Sequence, residues 1–305
     1  MSLLIVGTVA FDGIETPFGK VDKILGGSAT YIGISASYFN QQANLISVVG
    51  GDFLKKDIQL LIDHNINCDG LEIVEHEKTF FWSGRYHDNM NIRDTLETHL
   101  NVLEKFQPKI PTKYQDCNYL MLANLMPSIQ LEAINQLNNR PKLIVTDTMN
   151  YWMDSCLDEL MLVIAKTDVL IINDEEALQL SKMNNVVEAA KIILEMGPAF
   201  LIIKKGTKGA SLFHDNKIFE CPAFSVEKCI DPTGAGDTFA GAFIGFLSSS
   251  NNISFTNMTS AVVKACAMAS FCVEDFGVRN ITNNVKTKNL LIEERVQFLH
   301  NQCDY

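Results

Sequence analysis

The sequence predicts an α/β fold in which helices flank a doubly wound, mainly parallel sheet, with a small separate β-sheet beside it. Short apolar runs recur without the alternation of half-buried strands, which is typical of parallel strands buried on both faces. Helix-period stretches lie between these runs, as in the crossover connections of a parallel sheet. One aromatic segment interrupts this order and predicts the small sheet.

Predicted strands and helices alternate from the first residues to about residue 206. Strands are expected at 3–11, 43–50, 119–125, 142–148, 168–176 and 199–206. Helices are expected in "SATYIGISASYFN", "SIQLEAINQLNN", "EEALQLSK" and "VVEAAKIILEMG". The chain has 305 residues, of which 47% are hydrophobic, so one domain over 1–305 can bury a substantial core.

Two segments do not fit the strand and helix rhythm. The piece "EKTFFWSGRYH" is aromatic and alternates like a hairpin strand, and Gly and Pro punctuate β-compatible pieces in "FDGIETPFGKVDKIL". We predict that about 12–25 and 72–102 pair into a small sheet that acts as a lid on the main domain. The alternative is a plain surface insertion.

Charge and cysteine content narrow the class of protein. The formal net charge is −11, which argues against a nucleic-acid partner because phosphate binding needs clustered Lys and Arg. The eight cysteines show no C-x-x-C pair and no zinc spacing, so we interpret them as reduced thiols. Neither a signal segment nor an apolar run of membrane-spanning length is evident. We therefore expect a cytoplasmic enzyme for a small molecule, with no membrane partner.

The stretch "DPTGAGDTFAGAFIGFL" combines a glycine-rich bend with an apolar helix. Pro232 fixes one backbone dihedral, while Gly234 and Gly236 permit conformations that a side chain forbids. The amides of Gly234, Ala235, Gly236 and Asp237 would point out of the first helical turn and form an anion site.

The acid inside this anion site is Asp237. Its charge would repel a bound anion, unless the anion is a phosphoryl group in transit and Asp237 removes the proton of the attacking hydroxyl. The alternative is that Asp237 caps the helix, a role worth about 1 kcal/mol. The stretch alone leaves both interpretations open.

Several spaced motifs carry a resemblance to a known family. "DPTGAGDTFAGAF" resembles the carboxy-terminal signature of the PfkB carbohydrate kinases, which have the ribokinase-like fold and include fructokinases and adenosine kinases. "GTVAFDG", "LGGSAT", "INDEE" and "IIKKGTKGA" resemble the family's other landmarks, in the family's order. The resemblance covers nearly all of residues 3–280. A P-loop sequence and a G-x-G-x-x-G after the first strand are both missing.

The resemblance implies an ATP-dependent phosphotransferase that uses Mg²⁺ and acts on an alcohol group. Asp237 would be the general base, with the amides of Gly234, Ala235 and Gly236 as anion hole. The acceptor would contact Asp12 and the di-glycine hinge, Gly26 and Gly27. The nucleotide site and its magnesium would involve Asn173 and Glu176, the latter through water, and Lys205, Gly206, Lys208 and Gly209. Asp231 and Thr233 resemble a monovalent-cation loop; whether potassium is needed is left open.

Each of these implied roles has a structural alternative. Asp12 precedes Gly13 and could be a turn residue. Asn173 and Glu176 could simply begin a helix, where acids are favoured. The "GTKG" piece could be a solvated turn.

The resemblance to the family is weaker at positions that would contact the acceptor. Tyr31 stands where many relatives have asparagine, so a contact to a ring hydroxyl is altered or lost. No arginine follows Asn150 in "DTMNYW", which disfavours a sugar acid or sugar phosphate. In the lid piece, Trp82 and Arg85 are predicted to contact the acceptor, while the alternative is packing within the lid or in a homodimer through it.

The sequence therefore predicts a kinase for a neutral sugar. Two rivals remain: an adenosine-like nucleoside kinase, which the aromatic lid favours, and a non-catalytic sugar- or nucleotide-binding regulator. The intact "GAGD" argues against the regulator, because a binding protein needs no base inside its anion site.

Overall fold

The computed structural model describes residues 2–39 and 42–303 and contains a nine-stranded and a four-stranded sheet. The predicted α/β architecture with a small second sheet is confirmed. The strands are β1 (Leu3–Val6), β2 (Ala10–Thr16), β3 (Gly19–Gly26), β4 (Ala43–Gly50), β5 (Ile66–Val74), β6 (Phe81–Tyr86), β7 (Arg93–His99), β8 (Tyr119–Leu122), β9 (Leu143–Asp147), β10 (Val169–Asn173), β11 (Phe200–Lys204), β12 (Ala210–His214) and β13 (Lys217–Cys221).

Helices cover both faces of the large sheet. Helices α1, α8 and α9 contribute to the core on one face, and α3, α5 and α7 to the cores on the other. The helices are α1 (Ser28–Ser37), α2 (Lys55–Asp63), α3 (Pro127–Asn135), α4 (Asn150–Ser155), α5 (Leu157–Ile164), α6 (Asp174–Ser181), α7 (Val186–Glu195), α8 (Ala235–Ser250), α9 (Phe255–Cys272), α10 (Arg279–Thr282) and α11 (Val285–His300).

The large sheet has the order β13-β12-β11-β10-β9-β8-β1-β4-β5. Its strands from β11 to β5 run parallel, and β12 and β13 are added antiparallel at one edge. Strand β10 illustrates why apolar runs form such strands: Val169 and Ile171 enter the core on one face, while Leu170 and Ile172 enter the core on the other. The carboxyl ends of the parallel strands therefore share one edge.

The structure corrects the predicted strand at 3–11. β1 ends at Val6 in the large sheet, and β2 begins at Ala10 in the small one. The change occurs at Gly7, where a Cβ would lie 2.6 Å from the Cβ of Ala123. An apolar run shows burial but not which sheet buries it, so this crossing left no signal in the sequence.

The small sheet has the order β3-β2-β6-β7. Residues 72–74, which the sequence assigned to the lid segment, belong to β5 at the edge of the large sheet. Strands β5, β12 and β13 were not predicted. Along 2–39 and 42–303, no helix has the length and apolar character needed to cross a membrane.

Candidate active site

Three neighbouring strands end in polar residues at the same edge of the large sheet. β9 ends at Asp147, β10 at Asn173 and β11 at Lys204, and Asn173 lies opposite Lys204 in the register. The Nζ atom of Lys204 lies 3.3 Å from Oδ1 of Asp147. This edge, formed by the carboxyl ends of parallel strands, is where α/β sheets bind ligands.

The N-x-x-E residues begin helix α6 with a reciprocal capping box. The amide of Glu176 donates to Oδ1 of Asn173, and the amide of Asn173 donates to Oε2 of Glu176, both at 2.7 Å. The helix-start alternative is therefore present in the structure. The capping box uses only Oε2 of Glu176, and within the described part of the chain no hydrogen bond to Oε1 is found. Oε1 could therefore bind a ligand, and this role of Glu176 stays a prediction.

The glycine-rich loop turns sharply into helix α8. Gly234 precedes the helix with φ +75°, a left-handed conformation, and the amide of Thr238 donates to its carbonyl. A Cβ at Gly234 would lie 2.4 Å from the ring of Tyr31, which packs directly beneath the loop. Both the backbone conformation and the close approach require glycine.

Helix α8 is held in place by close packing against helix α1. A Cβ at Gly241 would lie 2.3 Å from the carbonyl oxygen of Ile32, and one at Gly245 would lie 2.7 Å from the Cα of Ala36. The glycines of "FAGAFIGFL" therefore let the two helices approach. This packing aims the amide end of α8 at the site.

Asp237 in the first turn of α8 has the electrostatics expected of a base. Burial, then repulsion by Asp147, raises its pKa from 3.8 to about 7, while Lys204 and Arg93 act in the opposite direction. A carboxyl with this pKa exchanges protons near neutral pH. Asp237 can therefore accept a proton from a hydroxyl group.

Two cations near Asp237 were missed by the sequence analysis. A Cβ at Gly236 would lie 2.9 Å from Nζ of Lys204, which places that ammonium beside the glycine-rich loop. Arg93, at the start of β7, lowers the pKa of Asp237 and of Glu176. Lys204 could have been identified from the sequence, because it is a charged residue directly at the end of a buried strand. No feature of the sequence pointed to Arg93.

Asp12 lies on β2 with its carboxylate packed against the di-glycine hinge. A Cβ at Gly26 would lie 1.9 Å from its Oδ2, so only glycine fits there. Burial, then repulsion by Asp231 and Asp237, raises the pKa of Asp12 to about 7, and a hydrogen bond from the backbone of Gly27 partly offsets this. Asp12, Gly26 and Gly27 therefore come together near Asp237.

Tyr31 occupies the space between these acids. It is 1% exposed, and no hydrogen-bond partner is recorded for its hydroxyl in the described residues. Burial, then the charge of Asp12, raises its pKa well above 10. The phenol is therefore neutral and able to donate a hydrogen bond.

Two residues of the small sheet, Trp82 and Arg85, were predicted to contact the acceptor, and only Trp82 lies on the face of the sheet that carries Asp12. Trp82 lies opposite Asp12 in the parallel register, so both side chains share a face. Arg85 belongs to the other face and pairs with Glu15 at 2.8 Å. The expected acceptor contact by Arg85 is thus not supported by this geometry, because strand alternation turns it away.

The end of β6 contacts the glycine-rich loop. The hydroxyl of Tyr86 lies 3.1 Å from Oγ1 of Thr233, and Tyr86 packs with Ile14 and Phe276. At the neighbouring Asp231, one carboxylate oxygen accepts from the amide of Thr233 and the other from that of Gly277, both at 2.9 Å. Asp231 is 0% exposed. These bonds hold the loop predicted to bind a monovalent cation.

The turn predicted to contact the nucleotide has glycines with left-handed backbones. Gly206 has φ +54° and Gly209 has φ +91°, and a Cβ at Gly206 would lie 3.1 Å from Oδ1 of Asn91. Lys205 pairs with Glu220, and Lys208 is exposed. The structure thus places Lys204, and not Lys205, next to the glycine-rich loop.

The acids at the strand ends could bind a hard divalent cation such as Mg²⁺. Burial raises the pKa of Glu176 to about 7, with Asp147 adding to the shift and Lys204 opposing it. Burial also raises the pKa of Asp147. No group of three or more His, Cys, Asp and Glu is arranged for direct ligation within 2–39 and 42–303. A magnesium ion here would use few protein ligands, with water and phosphate oxygens completing its shell.

These raised pKa values predict that stability and activity depend on pH in opposite directions. Between 3.8 and about 7, folded Asp12 and Asp237 hold protons that the unfolded chain has released. The free energy of unfolding should therefore fall as pH rises over this range, while deprotonation of the base raises turnover. Denaturant titrations and initial rates at about pH 5 and about pH 8 measure both trends.

Asp12→Asn isolates the stability trend. The variant should be more stable than the wild type at the higher pH and show a weaker pH slope, because the buried charge is gone. Asp22→Asn, an exposed acid on β3, is the control for the change in net charge. Equal slopes for the wild type and Asp12→Asn would contradict the burial of a titrating Asp12.

Comparison with known proteins gives a family match over most of the chain. Residues 11–284 match the family described as pfkB family carbohydrate kinase. A cytidine kinase of Thermococcus kodakarensis is 28% identical over 250 residues, covering 80% of this chain and 87% of that protein. A nucleoside kinase of Methanocaldococcus jannaschii is 25% identical, covering 92% of this chain and 87% of that protein.

Solved structures show the same fold. A nucleoside kinase of Methanocaldococcus jannaschii superposes with a TM-score of 0.76 at 22% identity, covering 97% of this chain and 98% of that one. A ribokinase of Thermotoga maritima gives a TM-score of 0.77 at 19% identity, covering 97% and 99%. The ribokinase-like fold expected from the sequence motifs is confirmed.

Proposed function

The chain belongs to the pfkB family of carbohydrate kinases, and from this premise we propose that it transfers the γ-phosphoryl group of ATP to a hydroxyl of a nucleoside. One observation carries the chemistry. Asp237, with a pKa of about 7, stands at the amide end of α8 beside the partly buried ammonium of Lys204. A base, amide donors and a cation together suit a phosphoryl group under attack by an alcohol.

In the proposed reaction the acceptor hydroxyl loses its proton to the carboxylate of Asp237. A bond forms between the acceptor oxygen and the γ-phosphorus, and the bond from that phosphorus to the oxygen bridging to ADP breaks. The amides of Gly234, Ala235 and Gly236 would donate to the phosphoryl oxygens, that of Ala235 while it also donates to the carbonyl oxygen of Pro232 at 3.2 Å. Magnesium bound near Glu176 would supply positive charge to the ATP phosphates.

Asp12 is proposed to bind and orient the acceptor. Its carboxylate is buried beside Gly26 and Gly27, on the same face of the small sheet as Trp82. A carboxylate accepts hydrogen bonds from sugar hydroxyls, and an indole offers an apolar face to a base or sugar ring. The small sheet would then act as a lid that excludes water from the reaction.

The choice of a nucleoside rests on the named relatives together with Trp82. Three relatives of 24–28% identity are named cytidine kinase or nucleoside kinase. A free pentose is the second candidate, since other relatives of 23–24% identity are named ribokinase and deoxyribokinase. We therefore propose a nucleoside as the acceptor, in place of the neutral sugar that the sequence analysis predicted.

An ADP-release panel tests this proposal. With ATP and Mg²⁺, we expect the highest kcat/KM for a nucleoside, exceeding that for free ribose or deoxyribose by about tenfold or more. Cytidine, uridine, adenosine and inosine supply the nucleoside arm. A higher value for a free pentose would favour the second candidate, and no turnover on any acceptor would contradict both.

The same panel tests the cation loop at Asp231 and Thr233. Parallel assays in potassium and in sodium salts measure its requirement. A potassium effect that disappears in Asp231→Asn would support a cation at this loop. Equal rates in both salts would show that the hydrogen bonds from Thr233 and Gly277 suffice to hold it.

A further inference from the structure

Lys204 is a partly buried cation to which no motif assigns a role. It ends strand β11, its side chain is 18% exposed, and Nζ lies 3.3 Å from Asp147. A Cβ added to Gly236 would lie 2.9 Å from the same Nζ atom. The ammonium therefore lies between the end of the sheet and the anion loop of α8.

The surrounding acids keep Lys204 charged. Burial alone lowers the pKa of this lysine, but Asp147, Glu176 and Asp237 raise it, and the net shift is upward. An ammonium has three donors, and the structure records one hydrogen bond from Nζ, to Asp147, within the described residues. Two hydrogens are thus available to an incoming oxygen.

We propose that Lys204 binds the phosphoryl group during its transfer, with Asp147 as its positioning residue. This proposal rests on the proposed kinase function. Three carboxylates, Asp147, Glu176 and Asp237, lie close to Lys204, and an anionic phosphoryl group can enter such a place only beside positive charge. The other nearby cation, Arg93, is exposed on the small sheet, so Lys204 is the cation fixed in the main domain.

Lys204 acts by charge and exchanges no proton in this scheme. The acceptor proton goes to Asp237, the new oxygen–phosphorus bond forms, and the bond to the ADP oxygen breaks. Throughout, the ammonium donates hydrogen bonds to oxygens of the transferred group. Because the ammonium is already held in position, it stabilises their negative charge without first having to move. Asp147 holds Nζ near Gly236 through the 3.3 Å contact.

A purely structural role for Lys204 is the competing explanation. Lys204 would then only neutralise Asp147, since one buried charge without its partner is strongly destabilising. The double variant Asp147→Asn with Lys204→Met separates the two roles, because it removes both charges together. It also keeps the test valid if Lys204→Met alone fails to fold.

The experiment compares kcat and acceptor KM for the wild type, Lys204→Met, Lys204→Arg, and the double variant, using the best acceptor of the ADP-release panel. We expect both methionine variants to lose kcat by about a hundredfold or more with acceptor KM nearly unchanged, and Lys204→Arg to recover part of it. Lys264→Met is the matched control: its side chain is 17% exposed and pairs with Glu293 at 3.8 Å.

Calorimetric titration with MgATP and MgADP adds a readout independent of turnover. Contact with the γ-phosphoryl group predicts that the double variant loses affinity for MgATP while keeping its affinity for MgADP. A double variant with nearly wild-type kcat would overturn the proposal and leave the kinase function standing. A wild type that binds no MgATP would overturn the kinase function, and the role of Lys204 with it.

Discussion

Replacing Asp237 by asparagine is expected to preserve the fold and to lower kcat about a thousandfold. Asparagine keeps the size of the side chain but cannot accept the acceptor's proton, so the hydroxyl stays a weak nucleophile. MgATP affinity should be retained or increased, because a negative charge is removed beside the phosphates. Steady-state rates and calorimetric titration with MgATP measure the two effects.

The control for Asp237→Asn is Asp158→Asn in the first turn of α5. Both aspartates lie in the first turn of a helix, but α5 belongs to the opposite face of the sheet and has no anion loop. If Asp237 only stabilised the helix end, both variants would lower the melting temperature by a few degrees and spare kcat. Nearly full activity of Asp237→Asn would exclude its role as the base.

Replacing Gly234 by alanine is expected to abolish most activity and to destabilise the protein. The left-handed conformation at φ +75° is unfavourable for alanine by about 1–2 kcal/mol. Its Cβ would also lie 2.4 Å from the ring of buried Tyr31, and relieving such overpacking costs typically about 1–3 kcal/mol. The amides of the anion loop would then shift from the positions that meet the phosphoryl group, so kcat should fall by about a hundredfold or more.

Gly197→Ala is the matched control for this loop. Gly197 also has a positive φ, +142°, and a Cβ there would lie 2.8 Å from the Cα of Ala165. It lies in the turn before the amino end of β11, whereas the site lies at the carboxyl ends of the strands. This variant should lose stability and keep its kcat. If Gly234→Ala retained wild-type kcat, the amides of this loop would not be the anion hole.

Local features of the sequence predicted the parts of the site that one segment builds alone. The bend at Gly234 and the helix start at Asn173 and Glu176 each follow from residue types within a few positions, whereas the hinge at Gly26 was expected only from the family resemblance. Parallel strands buried on both faces were predicted for the same reason, because apolar runs report burial directly.

Contacts between distant segments could not be predicted in the same way. Lys204 meets Gly236 and Asp147 only because β9, β10 and β11 are neighbours in the sheet. The orientation of Arg85 depends on the register of β6 with β2, where a shift of one residue would reverse the face. Sequence periodicity contains neither the strand order nor the register.

The transfer of label from [γ-³²P]ATP to the acceptor tests the central claim most directly. The reaction is run with the best acceptor of the panel, and labelled acceptor, ADP and inorganic phosphate are separated and counted. A phosphotransferase with Asp237 as its base predicts one labelled acceptor per ADP released, with both lost in Asp237→Asn. Label found only in inorganic phosphate, or undiminished transfer by Asp237→Asn, would contradict it.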